Sequence, residues 1–195
     1  GRFLYVKSEF IIPIYKETPN KYDQLCIDSI KLKLSCYDIF FLTYPELNLE
    51  EYRKYSEIKT VYFPKRYFKN TITYSKLLLK KSFYISFADY EYMLIVQTDA
   101  LVLGEAEQLE LFMDKGFDYW GARWVEPVEI CSFEIEKNLK KELLRYLPEC
   151  IAKRLFKNPK FCYVGNGGFS LRNIRKTIAL LDENRLNAKM WLDNE

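Results

Sequence analysis

The sequence predicts an α/β protein with a mixed, mainly parallel central sheet flanked by helices. Three observations carry that reading. Short apolar strand-like runs alternate with helical patterns. The run Tyr92 to Val96 (YMLIV) is continuously apolar, as a strand buried on both faces must be. No repeat, low-complexity tract or Gly/Ser linker divides the 195 residues, so one domain spanning 1–195 is expected.

In chain order, Glu9 to Tyr15 (EFIIPIY) forms a first strand that stops at the turn-like Thr18-Pro19-Asn20. Tyr22 to Leu34 then spaces Leu25, Ile27, Ile30, Leu32 and Leu34 in a partly helical pattern. Asp38 to Thr43 (DIFFLT) reads as a buried strand, Glu50 to Ser56 as a short helix and Lys59 to Phe63 as another strand. Thr71 to Phe87 places Tyr74, Leu77, Leu78, Lys81, Tyr84 and Ile85 on one helical face, and the central strand Tyr92 to Val96 follows.

Composition removes whole classes of chemistry. The chain has 16 Tyr and 14 Phe but no His, so a Ser-His-Asp triad, a Cys-His nucleophile and a His-ligated zinc site are excluded. Asp, Glu, Lys, Tyr and Cys remain as acid/base candidates. The five cysteines (Cys26, Cys36, Cys131, Cys150, Cys162) are widely spaced without a C-x-x-C pair, which reads as free thiols in a reducing compartment. With no signal-peptide pattern near the N-terminus and no run long enough to span a membrane, a cytoplasmic location is expected.

A net charge of +3 does not by itself point to nucleic acid, and no nucleic-acid partner is expected. Residues 137–160 hold eight Lys/Arg against Glu142 and Glu149, so this stretch carries +6 and the remainder −3. Leu139, Leu143, Leu147, Ile151 and Leu155 recur every four residues there, and Pro148 splits the segment into two helices. It reads as a basic helical insertion packed by its leucine face. The other reading is a peripheral contact with anionic lipid at the inner face of the membrane.

Chemistry concentrates where the central strand ends, because ligands of open α/β sheets bind outside the carboxyl ends of the strands. Gln97-Thr98-Asp99 stands there. An acid at a buried strand tip needs a partner, and a divalent cation bridging two phosphates is one; a helix cap is the other. The second cluster, Tyr163 to Arg172 (YVGNGGFSLR), puts three of the seven glycines into four positions. Such a loop can lie against a sugar or phosphate, or it can be a plain Asn-Gly turn. No Gly-Lys-Ser/Thr follows, so it is not a P-loop.

Taken together, YMLIVQTDA, DYWGARW at Asp118 to Trp124, VGNGGFSLRN at Val164 to Asn173, the terminal Asp193-Asn194-Glu195 and IIPIYKE at Ile11 to Glu17 resemble an uncharacterised family of bacterial glycosyltransferase-like domains of the GT-A type. The resemblance spans roughly the whole chain and implies a nucleotide-diphospho-sugar transferase fold. It implies transfer of a hexose-like sugar from a nucleotide-sugar donor to a glycan or lipid-linked acceptor, with inversion and help from Mn2+ or Mg2+. Asp99 then occupies the last position of a D-x-D metal motif, with Gln97 in place of the first Asp. Pro13 and Tyr15 border the base and ribose, and Thr98, Ser75 and Lys76 approach the nucleotide; a solvated surface role for Lys76 is the plain alternative. Asp193 and Glu195 look like the start of the acidic element that supplies the catalytic base, Glu195 being the first choice. The Asp expected after Glu195 is missing, so that element reads as cut short, and a fragment without the base would bind donor without turning it over.

Acceptor binding is expected at Asn166, Gly167 and Gly168 and at Trp124, whose indole can stack on the apolar face of a sugar from a loop flanked by Arg123 and Glu126; Trp120 reads as core. Two other classes compete. A nucleotidyltransferase normally carries a glycine-rich phosphate loop after its first strand, where this chain reads PIYKETPN. A noncatalytic carbohydrate- or nucleotide-binding module would leave Asp99 and the glycine loop without a shared purpose.

Overall fold

The computed structural model describes residues 7–130, 160–164 and 167–185. Two compact units divide the chain, Gly1–Gly121 with Gly167–Glu195 and Ala122–Asn166. The first is a six-stranded sheet in the order β3-β2-β1-β4-β8-β5. Its strands are β1 (Ser8–Pro13), β2 (Asp38–Thr43), β3 (Lys59–Tyr62), β4 (Tyr92–Val96), β5 (Tyr119–Gly121) and β8 (Phe169–Asn173). β1 pairs in parallel with β2 and β4, and β2 with β3, whereas β8 runs antiparallel to both β4 and β5. The α/β class and the central place of β4 are as the sequence predicts.

The strands hold their places because both faces of the sheet are covered. Phe10, Ile12 and Ile14 of the first strand region point into one core with Cys26, Ile27 and Ile30 of α1 (Lys21–Lys33). Ile11 points into the other, with Leu77 and Leu78 of α2 (Thr71–Leu78), Phe83 and Tyr84 of α3 (Lys81–Ile85), and Ile174 of the last helix, α5 (Ile174–Glu183). That alternation is the pleat period of two, applied to a strand buried on both sides. A further helix, α4 (Ala106–Asp114), sends Met113 into the first core.

Two local expectations differ from the structure, and the short helix expected at Glu50 to Ser56 is present. Leu25 and Leu32 are 54% and 80% exposed, and α1 instead buries Asp23, Cys26, Ile27 and Ile30. Thr71 to Phe87 is two helices: the Leu79 and Lys80 amides bond three residues back, to Lys76 and Leu77, tightening the turn until the α-helix ends. The Tyr84 hydroxyl then donates to the freed Leu78 carbonyl at 2.9 Å, and both Phe83 and Tyr84 become fully buried. Glu50–Tyr55 is a 3-10 helix that buries Tyr52 and Tyr55.

In the second unit β6 (Arg123–Ile130) pairs antiparallel with β7 (Lys160–Val164), with an irregularity between Arg123 and Val128. Trp124 therefore lies in a strand, where the sequence suggested a loop. The basic segment at 137–159 lies outside the described residues, as do Asn166, Asp193 and Glu195. No described helix is long and apolar enough to cross a membrane.

Candidate functional site

β1 and β4 lie side by side at the point where the strand order reverses, since β1 leads through α1 to β2 on one side and β4 borders the antiparallel β8 on the other. Crevices open at such switch points beyond the strand ends. Ile11 pairs with Ile95, so Pro13 and Gln97 close the two adjacent strands, and the residues that follow them form the site.

A cavity of about 430 Å3 lies there, lined among others by Tyr15, Lys16, Asn20, Asp23, Cys26, Thr98 and Asp99. Tyr15 is half exposed, Asp99 is exposed and Thr98 is buried. Of the residues expected from sequence, Tyr15, Thr98 and Asp99 share this cavity. Pro13 is buried at the end of β1. Gln97 is half-buried, and its amide donates to the Gly168 carbonyl at 2.7 Å, which binds the glycine turn to the strand-end loop. Ser75 and Lys76 lie on α2 and do not line the cavity; Ser75 is exposed, and Lys76 at 8% exposure is not a solvated surface lysine. Trp120 packs edge-on against Phe112 and Phe117, with ring centroids 4.8 and 4.9 Å away. It is partly buried and packs against the first core.

The sequence reading missed the polar lock beneath Asp99. Asn20 caps α1, its side chain accepting from the Tyr22 and Asp23 amides at 2.8 and 3.0 Å, while Asp23 accepts from the Asn20 amide at 2.8 Å. Lys16 Nζ grips both Asp23 oxygens at 2.9 and 2.7 Å, and it lies 5.9 Å from the Tyr15 ring centroid. Burial alone would raise the Asp23 pKa, but hydrogen bonds from Lys16, Thr98 and the Asn20 amide outweigh it and hold the carboxyl below its ordinary range. One buried carboxylate thus ties the chain after β1, the start of α1 and the loop after β4. The signal for it was available in the Asn20-x-x-Asp23 capping pattern.

The same helix is fastened along its length. Cys26 Sγ donates to the Ala100 carbonyl at 2.8 Å, the Ser29 hydroxyl donates to the Val102 carbonyl, and Lys33 pairs with Glu105. Burial, then the nearby Asp99 and Asp23 charges, push the Cys26 thiol up to about 11, so it stays a neutral thiol.

Asp23→Asn is expected to cost about 2 kcal/mol at neutral pH, because it breaks a buried charge-assisted contact and half of the capping box. Since the folded-state pKa is lowered, this stability is present above the ordinary Asp value and is lost as pH falls through the folded one. Urea unfolding of both proteins at neutral and acid pH checks this; a gap that persists in acid would contradict it.

Among the described residues no three His, Cys, Asp or Glu side chains form a metal cage. A single exposed carboxylate does suit Mg2+ or Mn2+ held largely by phosphate oxygens and water.

No curated protein matches the sequence. Among solved structures, the chain is similar to core-mannan synthase A from Aspergillus fumigatus in its Mn/GDP form, with a TM-score of 0.58 and 10% identity over 100% of this chain and 68% of that one. It is also similar to the mannosyltransferase Ktr4p from S. cerevisiae in complex with GDP, with a TM-score of 0.50 and 11% identity over 93% of this chain and 62% of that one. At such identities the likeness is one of fold, and the fold is the GT-A-like one of glycosyltransferases. Residues 57–195 match the model of the family described as Protein of unknown function (DUF5672), and the chain belongs to that family.

Proposed function

We propose that this domain binds a nucleotide-sugar donor at the β1/β4 switch point and transfers its sugar to a glycan or lipid-linked acceptor. The observation that carries the reading is the meeting of Tyr15 and Asp99 in one cavity at the strand ends, above a lock that fixes the loop bearing Asp99. A half-exposed tyrosine offers a face for a nucleoside base. The Asp99 carboxylate offers one ligand to Mn2+ or Mg2+, with phosphate and water completing the shell. When bound, the cation supplies Lewis-acid stabilisation of the departing diphosphate. The Mn/GDP form of the fungal synthase is in keeping with this assignment.

In the same reading Ser75 and Lys76, which lie on α2 outside the cavity, approach the part of the donor that extends beyond it. Acceptor contact is assigned to Trp124, Asn166, Gly167 and Gly168. Glu195, with Asp193 two positions before it in sequence, takes the acceptor hydroxyl proton as the acceptor oxygen attacks the anomeric carbon on the face opposite the nucleoside diphosphate, whose bond to that carbon breaks; attack from that face makes the transfer inverting.

The test is a thermal-shift series on the purified chain against nucleoside diphosphates and their sugars, each with and without Mn2+, in wild type and Asp99→Ala. Metal-enhanced stabilisation by one nucleotide that disappears in the variant is expected. Equal stabilisation of both proteins would remove Asp99 from the site, and consumption of donor in the presence of acceptor separates a transferase from a binding module.

A further inference from the structure

Arg172 projects from β8 into the second core and is only 9% exposed. Its Nε donates to Ser170 Oγ at 3.2 Å and its Nη1 to the Tyr84 hydroxyl at 2.5 Å, while the guanidinium carbon lies 5.6 Å from the Tyr119 ring centroid. Both hydrogen-bond acceptors pass the chain on, Tyr84 to the Leu78 carbonyl and Ser170 to the Gly167 carbonyl at 3.4 Å. Every one of these partners is neutral. Burial raises the Tyr84 and Tyr74 phenols above their ordinary range, so neither becomes a phenolate that could balance the charge. Among the described residues no carboxylate pairs with Arg172. A buried cation without a counter-charge among the described residues is costly to keep.

Two further observations point to what it would meet. The Tyr74 hydroxyl, which feels the Arg172 charge, is buried without a hydrogen-bond partner. On the other side, a Cβ built at Gly167 would stand 3.5 Å from Arg172 Nη2 and 3.6 Å from Leu78 Cδ1, and among the described residues, its chain neighbours apart, nothing else lies within 4 Å of it. Gly167 does not hold a left-handed φ, so the turn does not require glycine there for its backbone conformation. What the glycine does is place no side chain of its own over the outer guanidinium nitrogen. Nη2 still carries two charged N–H donors, and such donors bind the oxygens of a phosphate or carboxylate.

We propose that Arg172, laid open by Gly167, is an oxyanion-docking residue that receives a phosphate or carboxylate group beside the loop after β4. The Gly168 carbonyl accepts the Gln97 amide at 2.7 Å, so the turn that carries Gly167 is joined to the loop that leads to Asp99. The inference stands apart from the donor reading, because it needs neither metal nor nucleoside.

Calorimetric titration of the full chain with pyrophosphate, phosphate and citrate in chelator-treated buffer tests it. Wild type and Asp99→Ala are expected to bind at least one of these alike. Arg172→Met and Gly167→Val should bind it roughly tenfold or more weakly, the loss that one or two charge-assisted hydrogen bonds carry. Gly167→Val covers Nη2 without touching the buried charge, so it reports even where Arg172→Met fails to fold. Equal affinity in wild type and Gly167→Val, or no binding of any of the three anions by wild type at millimolar concentration, overturns the proposal. Adding a nucleoside diphosphate with Mn2+ then identifies the source. Competition assigns the oxyanion to the donor diphosphate, and simultaneous binding assigns it to an acidic group on the acceptor.

Discussion

Replacing Glu9 with Met is expected to stabilise the chain above neutral pH by on the order of 3 kcal/mol and to flatten its stability against pH. Glu9 is fully buried in β1, opposite Asp38 of β2 and Met93 of β4, and both its carboxyl oxygens lack a hydrogen-bond partner. Burial, and secondarily the Asp38 charge, push its pKa from 4.5 up to about 9. Asp38 keeps its own charge because the Tyr90 hydroxyl, at 2.6 Å, and Lys59 hold it below its ordinary range. The folded chain therefore retains the Glu9 proton while the unfolded chain releases it above pH 4.5. Stability falls as pH rises from there to about 9 and is level beyond either end. Methionine fills similar volume with no polar atom to satisfy. For a chain of this size roughly 2–4 °C accompanies each kcal/mol, so melting temperatures near pH 8 should separate by about 10 °C and converge in acid. Parallel pH profiles for the two proteins would show that Glu9 is not the titrating group.

The second large effect is expected at Asp99. It is the one carboxylate that the sequence pattern places at a D-x-D position, and Gln97 adds no charge beside it. Asp99→Ala should weaken Mn2+-dependent donor binding at least about 100-fold, since losing even an indirect metal contact typically costs 10- to 100-fold. Gln97→Asp should do the reverse and tighten the metal. The Gln97 contact to the glycine turn runs through its backbone amide, so the exchange leaves that contact in place. Titration of Mn2+ in the presence of a bound nucleoside diphosphate reads both variants. Unchanged metal dependence in the two would separate Asp99 from the cation and leave the cavity as a metal-free site.

The parts of the fold that could be read from sequence are those where one physical demand acts alone. DIFFLT and YMLIV had to be buried on both faces, and nothing competes with that demand, so β2 and β4 fall where the apolar runs place them. α1 was harder because its inner face is not apolar throughout. Asp23 and Cys26 are buried there by Lys16, Thr98 and the Ala100 carbonyl, and the last lies 74 residues away from Cys26 in sequence. Periodicity therefore favoured Leu25 and Leu32, which face outward. The break between α2 and α3 carries neither Pro nor Gly. It is made by the Tyr84 hydroxyl reaching the Leu78 carbonyl, a contact that exists only once both side chains are packed.

Much the same holds for the candidate site. The place of Asp99 at a cavity was legible because it follows the most apolar strand, whereas Arg172 and Glu9 look in sequence like the ordinary polar fringe of a strand. Only the neutral surroundings of one and the empty hydrogen-bonding positions of the other set them apart.

The bond from Cys26 to the Ala100 carbonyl also makes this thiol a gauge of motion. While α1 and the loop after β4 are joined, the sulfur is covered and almost wholly protonated, so an electrophile in solution reacts with it only during excursions that part the two. Its alkylation rate, set against that of the exposed Cys36 in the same molecule, counts those excursions directly. A ligand that rests on Asp99 and clamps the loop to the helix would slow the clock at Cys26 and leave the one at Cys36 unchanged.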